Sequence, residues 1–241
     1  MGRDFHFQSH ALETAVDAIM NKINNYELFS GDVVSDAELS GELGMSRTPV
    51  REAMLQLIND GILQRTATRV VVRPLTLTDI HEILEIREAL EIASAGRILR
   101  RGGLTDGEQA LLRSIHEQLR RSVQEKQFDE NFSQDARFHQ TIIEFGGNLR
   151  MLAISKTFDR QVQRLRFLSM VTPERYTGTV AEHQAILDAL CGGDLQTVKA
   201  AGREHMRATA DNFSDILQDS RWSRMARGLH DLTGRDLHSG K

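Results

Sequence analysis

The stretch LSGELGMSRTPVREAMLQLINDGIL, residues 39–63, decides the fold of the N-terminal part of this chain. Ser35-Asp36-Ala37-Glu38 just before it reads as a capping box opening a short helix. Gly44 can close that helix in the left-handed conformation. Ser46 then caps a second helix reaching Asp60-Gly61, whose apolar positions Val50, Met54, Leu57 and Ile58 share one face. Two strand-like runs follow, Ile62–Arg65 and Arg69–Arg73, split by Thr66-Ala67-Thr68. Upstream, a helix from Ser9 to Asn24 carries Leu12, Ala15, Val16 and Ile19 on one side, and Ser30-Gly31-Asp32 reads as a turn. Helix, tight turn, helix and hairpin make a winged helix-turn-helix.

The second helix of such a motif enters the major groove and presents its first turn to base edges and phosphates. Here that turn offers Arg47 and Arg51, four residues apart and on one side of the helix. An arginine fork can engage guanine at two atoms, a contact that discriminates by ~1–3 kcal/mol. Ser46, Thr48 and the free amides of the helix start suit a phosphate. Bulk charge argues the other way. The chain carries −4 overall, and residues 1–74 hold seven Lys/Arg against ten Asp/Glu. Five of those cations lie between Arg47 and Arg73, with only Glu52 and Asp60 among them, so this segment alone is net +3. A local basic patch inside an acidic domain is expected.

The wording of residues 10–73, above all Ser46-Arg47-Thr48-Pro49-Val50-Arg51-Glu52-Ala53, resembles the DNA-binding signature of GntR-family regulators. The resemblance implies DNA contact by Ser46, Arg47, Thr48 and Arg51. Two positions depart from it. The hairpin tip lacks the usual glycine, and Ala37 stands where some relatives have an arginine. Thr68 or Arg69 is the expected substitute.

Pro74 breaks the pattern and marks a boundary. The domains are expected at 1–74 for the winged helix-turn-helix and 75–218 for an all-helical bundle, with a tail from 219 to 241. Helices are expected near Thr78–Arg101, Thr105–Lys126, Asp129–Phe145, Leu149–Met170, Pro173–Cys191 and Asp194–Gln218. Glycine pairs at 102–103, 146–147 and 192–193 separate three of them. The fold class is mainly α, with an antiparallel bundle as the second part.

Polar residues interrupt the apolar stripes of these helices. Arg87 falls between Ile83/Leu84 and Leu90. Asp135 and His139 fall between Phe132 and Ile142/Ile143. His183 precedes Leu187 and Leu190, and His205 lies between Val198 and Phe213. Unpaired in a core, each would cost several kcal/mol. Asp135 and His139, one turn apart, have the spacing of two ligands on one ion, and His183 and His205 add two imidazoles from other helices. Such a set suits Zn²⁺, with Ni²⁺, Mn²⁺ or Fe²⁺ as alternatives. The remaining histidines are expected at the surface: His6, His10, His230 and His238 near the ends, His81 and His116 on or beside polar faces.

Residues 75–217 are similar to the helical effector (FCD) domain found in the FadR branch of the same family. In metal-containing members, the aspartate and three histidines bind a divalent ion. The resemblance of Ile86-Arg87-Glu88-Ala89-Leu90-Glu91 implies that Arg87 helps hold the carboxylate of a small organic acid effector. The expected protein is a homodimeric repressor, placing two recognition helices on operator DNA with half-sites roughly 10 base pairs apart or a small multiple. A metal-dependent hydrolase and a regulator with a purely structural ion are the rivals.

Apolar residues at 40% and charged residues at 27% fit a soluble globular protein, and no apolar run has membrane-spanning length. The first ten residues lack the basic start and apolar core of a secretory signal. A single cysteine, Cys191, excludes an internal disulfide framework and suits a reducing cytoplasm.

Overall fold

A computed structural model describes residues 2–25, 27–164 and 173–218. The chain divides after Thr76 into two compact units. In the first, α1 (Gly2–Asn24) packs on α3 (Arg47–Asn59), and α2 (Asp36–Leu43) packs on α3 as well. Strands β1 (Leu63–Arg65) and β2 (Val70–Val72) pair antiparallel, Leu63 opposite Val72 and Arg65 opposite Val70. Val33 bridges Val71, and residues 31–34 bond along β2, so the wing gains a third edge that the turn expected at Ser30–Asp32 did not foretell. Ala15, Val16 and Ile19 meet Val50, Ala53 and Leu57 in a core closed by Ile62, Leu63 and Val72. Burial of this one face holds α3 and leaves its opposite face to solvent.

The turn between α2 and α3 forms as its residues dictate. Ser35 Oγ accepts the Glu38 amide at 3.3 Å, and Gly44 adopts φ 61°, which a side chain would oppose. Helix α1 begins earlier than expected, at Gly2.

In the second unit, α4 (Leu77–Arg100), α5 (Asp106–Gln124), α6 (Phe128–Phe145), α7 (Leu149–Gln163), α8 (Pro173–Gly192) and α9 (Leu195–Gln218) make a helical bundle. Helix α4 packs on α6, α7 and α9, while α5 packs on α6 and α8, and α8 on α9. Ala95, Ile98, Leu112, Ile115, Phe138, Ile142, Leu187 and Leu190 fill the core. Gly146 closes α6 against α4: a Cβ there would stand 2.7 Å from Ser94 Cβ and 2.9 Å from Ser94 Cα. Thr105 and Glu108 form a complete capping box at the start of α5. Helix α7 spans Leu149–Gln163, with Arg164 as its cap; residues 165–172, which include the rest of the helix expected to reach Met170, lie outside the described part, as does the tail from 219. Among the described residues, no helix is long and apolar enough to cross a membrane.

Candidate DNA-reading helix and metal centre

Helix α3 presents Ser46, Arg47, Thr48 and Arg51 to solvent, while Val50 and Ala53 anchor it from beneath. Ser46 occupies the N-cap position in extended conformation, yet its side chain makes no capping bond. The hydroxyl expected to cap the helix is thus left without that bond, and the amides of the first turn lack it too.

The two arginines have a partner that their spacing alone does not reveal. Asp36, the first residue of α2, accepts from Arg47 Nη2 at 2.7 Å, Arg47 Nε at 3.2 Å and Arg51 Nε at 2.5 Å. Those hydrogen bonds from Arg47 and Arg51 hold its carboxyl down at about 2. Asp36 is remote in sequence from the basic segment but lies among its cations, so the local +3 is reduced in space.

Beside α3, the wing tip is exposed from Arg65 to Arg69. Thr66 Oγ1 donates to Arg69 O at 3.0 Å and faces the Arg69 amide at 3.2 Å, closing a tip that no glycine serves. Thr68 and Arg69, with Arg51 and Asp36, line one open groove of about 660 Å³ between recognition helix and wing. All six residues expected to meet DNA are therefore exposed.

In the helical unit, Asp135, His139, His183 and His205 converge, each offering an atom within 4.8 Å of the others. The three Nε2 atoms form a triangle with edges of 3.0 Å (His139–His183), 3.4 Å (His183–His205) and 3.1 Å (His139–His205). Asp135 Oδ1 is 3.3 Å from the Nε2 of His183 and 3.9 Å from that of His139. Hydrogen bonds alone cannot satisfy this triangle. One N–H points along only one edge, and two bare nitrogens facing each other repel. A tetrahedral ion with Zn–N bonds near 2.0–2.1 Å separates its nitrogens by roughly 3.3 Å. The donor set fits a metal ion, and these residues could hold one.

The surroundings prepare His139 and His183 as neutral donors. Burial pushes His183 well below the ordinary histidine value, helped by His205 and His139 nearby. Burial also lowers His139, with Arg87 adding to the effect and Glu91 opposing it. Glu182 Oε2 accepts from His205 Nδ1 at 2.7 Å, which turns the Nε2 lone pair to the centre. Phe138 stacks on His183 with centroids 4.5 Å apart and planes 7° from parallel. Glu91 Oε1 lies 2.8 Å from His139 Nδ1, a contact of opposite polarity but off the line of a good N–H···O bond.

Arg87 is buried, as its place in the apolar stripe required. Its Nε meets Glu91 at 3.1 Å and its Nη2 meets Asp135 Oδ2 at 3.7 Å. Burial tends to raise Glu91, but His139 and Arg87 outweigh it and hold the carboxyl below its usual range. Asp159 of α7 behaves oppositely: burial lifts it to about 6, against the pull of Arg87.

Two comparisons with protein families cover both units. The FCD domain family matches residues 82–208, more than half of the chain, and the family described as bacterial regulatory proteins, gntR family, matches residues 11–70. The chain belongs to the GntR family. It is 29% identical over 198 residues to an uncharacterized HTH-type transcriptional regulator in an unstable DNA locus of Streptomyces ambofaciens, covering 79% of each chain. It is 30% identical over 190 residues to the gluconate operon transcriptional repressor of Bacillus licheniformis, covering 78% of this chain and 75% of that one. The solved structure of E. coli McbR/YncC superposes with a TM-score of 0.71 at 21% identity, over 86% of this chain and 97% of that one, a likeness of fold.

This GntR-family protein is therefore a DNA-binding transcription regulator with an FCD domain, and its relatives are regulators, not enzymes. Nothing in the sequence signalled Glu91, buried beside Arg87 and His139, the half-buried Asp159, or Asp36 at the DNA-reading end. His116 was expected at the surface but is buried, its Nε2 2.9 Å from Val180 O. Its spacing from Leu112, Ile115 and Leu119 already carried that signal. His10 and His81 are exposed; the side chain of His6 and residues His230 and His238 lie outside the described part.

Proposed function

We propose that this regulator is a homodimeric repressor acting in the cytoplasm, whose grip on operator DNA is set by a small organic acid bound at a divalent ion. Asp135, His139, His183 and His205 hold the ion. Zn²⁺ is the best match to three imidazoles and one carboxylate, and Ni²⁺, Mn²⁺ and Fe²⁺ suit the same donors. The ion supplies Lewis acidity and open coordination positions for a carboxylate. Arg87, already shared between Glu91 and Asp135, gives the effector's negative charge a cationic neighbour. Ser46, Arg47, Thr48 and Arg51 meet the operator in the major groove, and Thr68 and Arg69 meet it from the wing.

The observation that carries this proposal is the buried triangle of Nε2 atoms, which hydrogen bonding cannot satisfy. The repressor role is supported by the name of the Bacillus licheniformis relative, said there of the gluconate operon. Coupling between effector and operator is typically ~1–3 kcal/mol, or roughly 5- to 150-fold in affinity.

Anisotropy titration of an operator, recovered by selection from random duplexes, tests the scheme with citrate as the first acid. Metal-loaded protein is expected to release DNA as citrate rises, and the His139→Ala variant to bind DNA but ignore the acid. The same response from chelated protein would contradict it. Binding by Arg51→Ala equal to that of the parent would contradict the DNA assignment separately.

A further inference from the structure

Arg47 and Arg51 reach Asp36 through their inner edges only. Arg47 uses Nε and Nη2, and Arg51 uses Nε. Among the described residues, Nη1 of Arg47 and both terminal amino groups of Arg51 have no protein partner. These outer edges are the ones that can form two parallel bonds to guanine O6 and N7. Both arginine side chains are solvent-exposed, at 54% and 61%, whereas the Asp36 side chain is only 20% exposed. Asp36 also sits in the first turn of α2, where the helix N-terminus favours an ionised carboxylate. A half-buried anion thus holds two exposed cations.

We propose that Asp36 is a specificity-determining positioning residue of the DNA-reading helix: it clamps the Nε edges of Arg47 and Arg51, aims their outer edges at the duplex, and cancels one of their two charges. The inference rests on the assignment of those two arginines to DNA contact. Two mobile arginines bind any phosphate that comes near, because backbone attraction does not depend on sequence. Two arginines with fixed forks and half the net charge gain little from a random duplex. They keep their advantage where guanines meet the forks. The acidic balance of residues 1–74 serves the same end.

The test uses the full chain, with Asp36→Asn and Asp36→Glu, against two short duplexes: the selected operator and one of unrelated mixed sequence. Affinities are measured over a series of salt concentrations. For Asp36→Asn, affinity for the unrelated duplex is expected to rise, and the slope of log affinity against log salt to steepen by about 0.9, the value for one more phosphate contact. The ratio of operator to unrelated affinity is expected to fall about tenfold, within the range of one guanine contact. Asp36→Glu is expected to retain most of the ratio, since the carboxylate is kept. A purely structural Asp36 would lower both affinities together, along with the melting temperature, and leave the ratio alone. That result, or an unchanged ratio and slope, overturns the proposal. Arg51→Ala separates the two levels: if it binds the operator like the parent, the assignment beneath has failed; if it loses the operator while Asp36→Asn matches the parent, only the clamp has.

Discussion

Replacing Asp159 by asparagine is expected to stabilise the helical unit, and more so as pH rises. In the folded chain burial on α7, with Glu91 adding to it, pushes the carboxyl up to about 6 from its ordinary 3.8. A shift of that size corresponds to about 3 kcal/mol once the group is fully ionised, less what residual solvent contact screens. The sign follows from proton binding. Between pH 3.8 and 6 the folded state binds the proton that the unfolded state has released, so the carboxylate's contribution is lost as pH rises through 6. Asparagine carries no charge at any of these values. Its advantage over the parent is therefore expected to be larger near pH 7.5 than near pH 5, by about 1 kcal/mol after screening. Urea unfolding of chelated parent and variant, followed by helical circular dichroism, measures the difference. A gap that stays constant across that interval would refute the reasoning, whatever its absolute size.

Gly146→Ala is expected to lower stability by about 1–3 kcal/mol, because its Cβ meets the Cα and Cβ of Ser94 rather than a flexible tip. Thermal denaturation reads this, and Ser94→Ala, which keeps the offending Cβ, is expected to give no rescue. In chelated protein, His139 and His183 resist protonation when folded but accept protons freely when unfolded. Melting temperature should therefore fall as pH drops below 6.5, and His183→Gln should flatten that dependence. Arg69→Ala on the exposed wing is expected to weaken binding to all duplexes alike and reduce the salt slope by about 1, as loss of a phosphate contact does. A change confined to one sequence would instead mean a base contact.

The elements that sequence made legible are those whose signal is local. Ser35 with Glu38, Gly44 in its left-handed turn, and Val50, Met54 and Leu57 at helical spacing each act within a few residues, so α2 and α3 could be read directly. The four clustered side chains Asp135, His139, His183 and His205 were legible for a related reason: each occupies a position where helical period demands an apolar side chain. Glu91 follows Leu90, which the stripe selected, although Glu91 is the buried one and Leu90 only partly so. Asp159 lies on a helix whose stripe was not followed. The contacts of Asp36 are made 11 and 15 residues away, across a turn, and no periodicity links them. The third edge of the wing was hidden in the same way, since residues 31–34 look like a turn until β2 lies beside them. Charge counted along the chain overstated the basic patch because an anion from another helix enters it.

Metal content per chain tests the central claim most directly. Protein purified without chelator, then analysed by plasma mass spectrometry beside a His183→Ala variant, is expected to carry one divalent ion per chain, with less than about a tenth of that in the variant. Equal content in the two, whether both loaded or both empty, would contradict a centre built on Asp135, His139, His183 and His205.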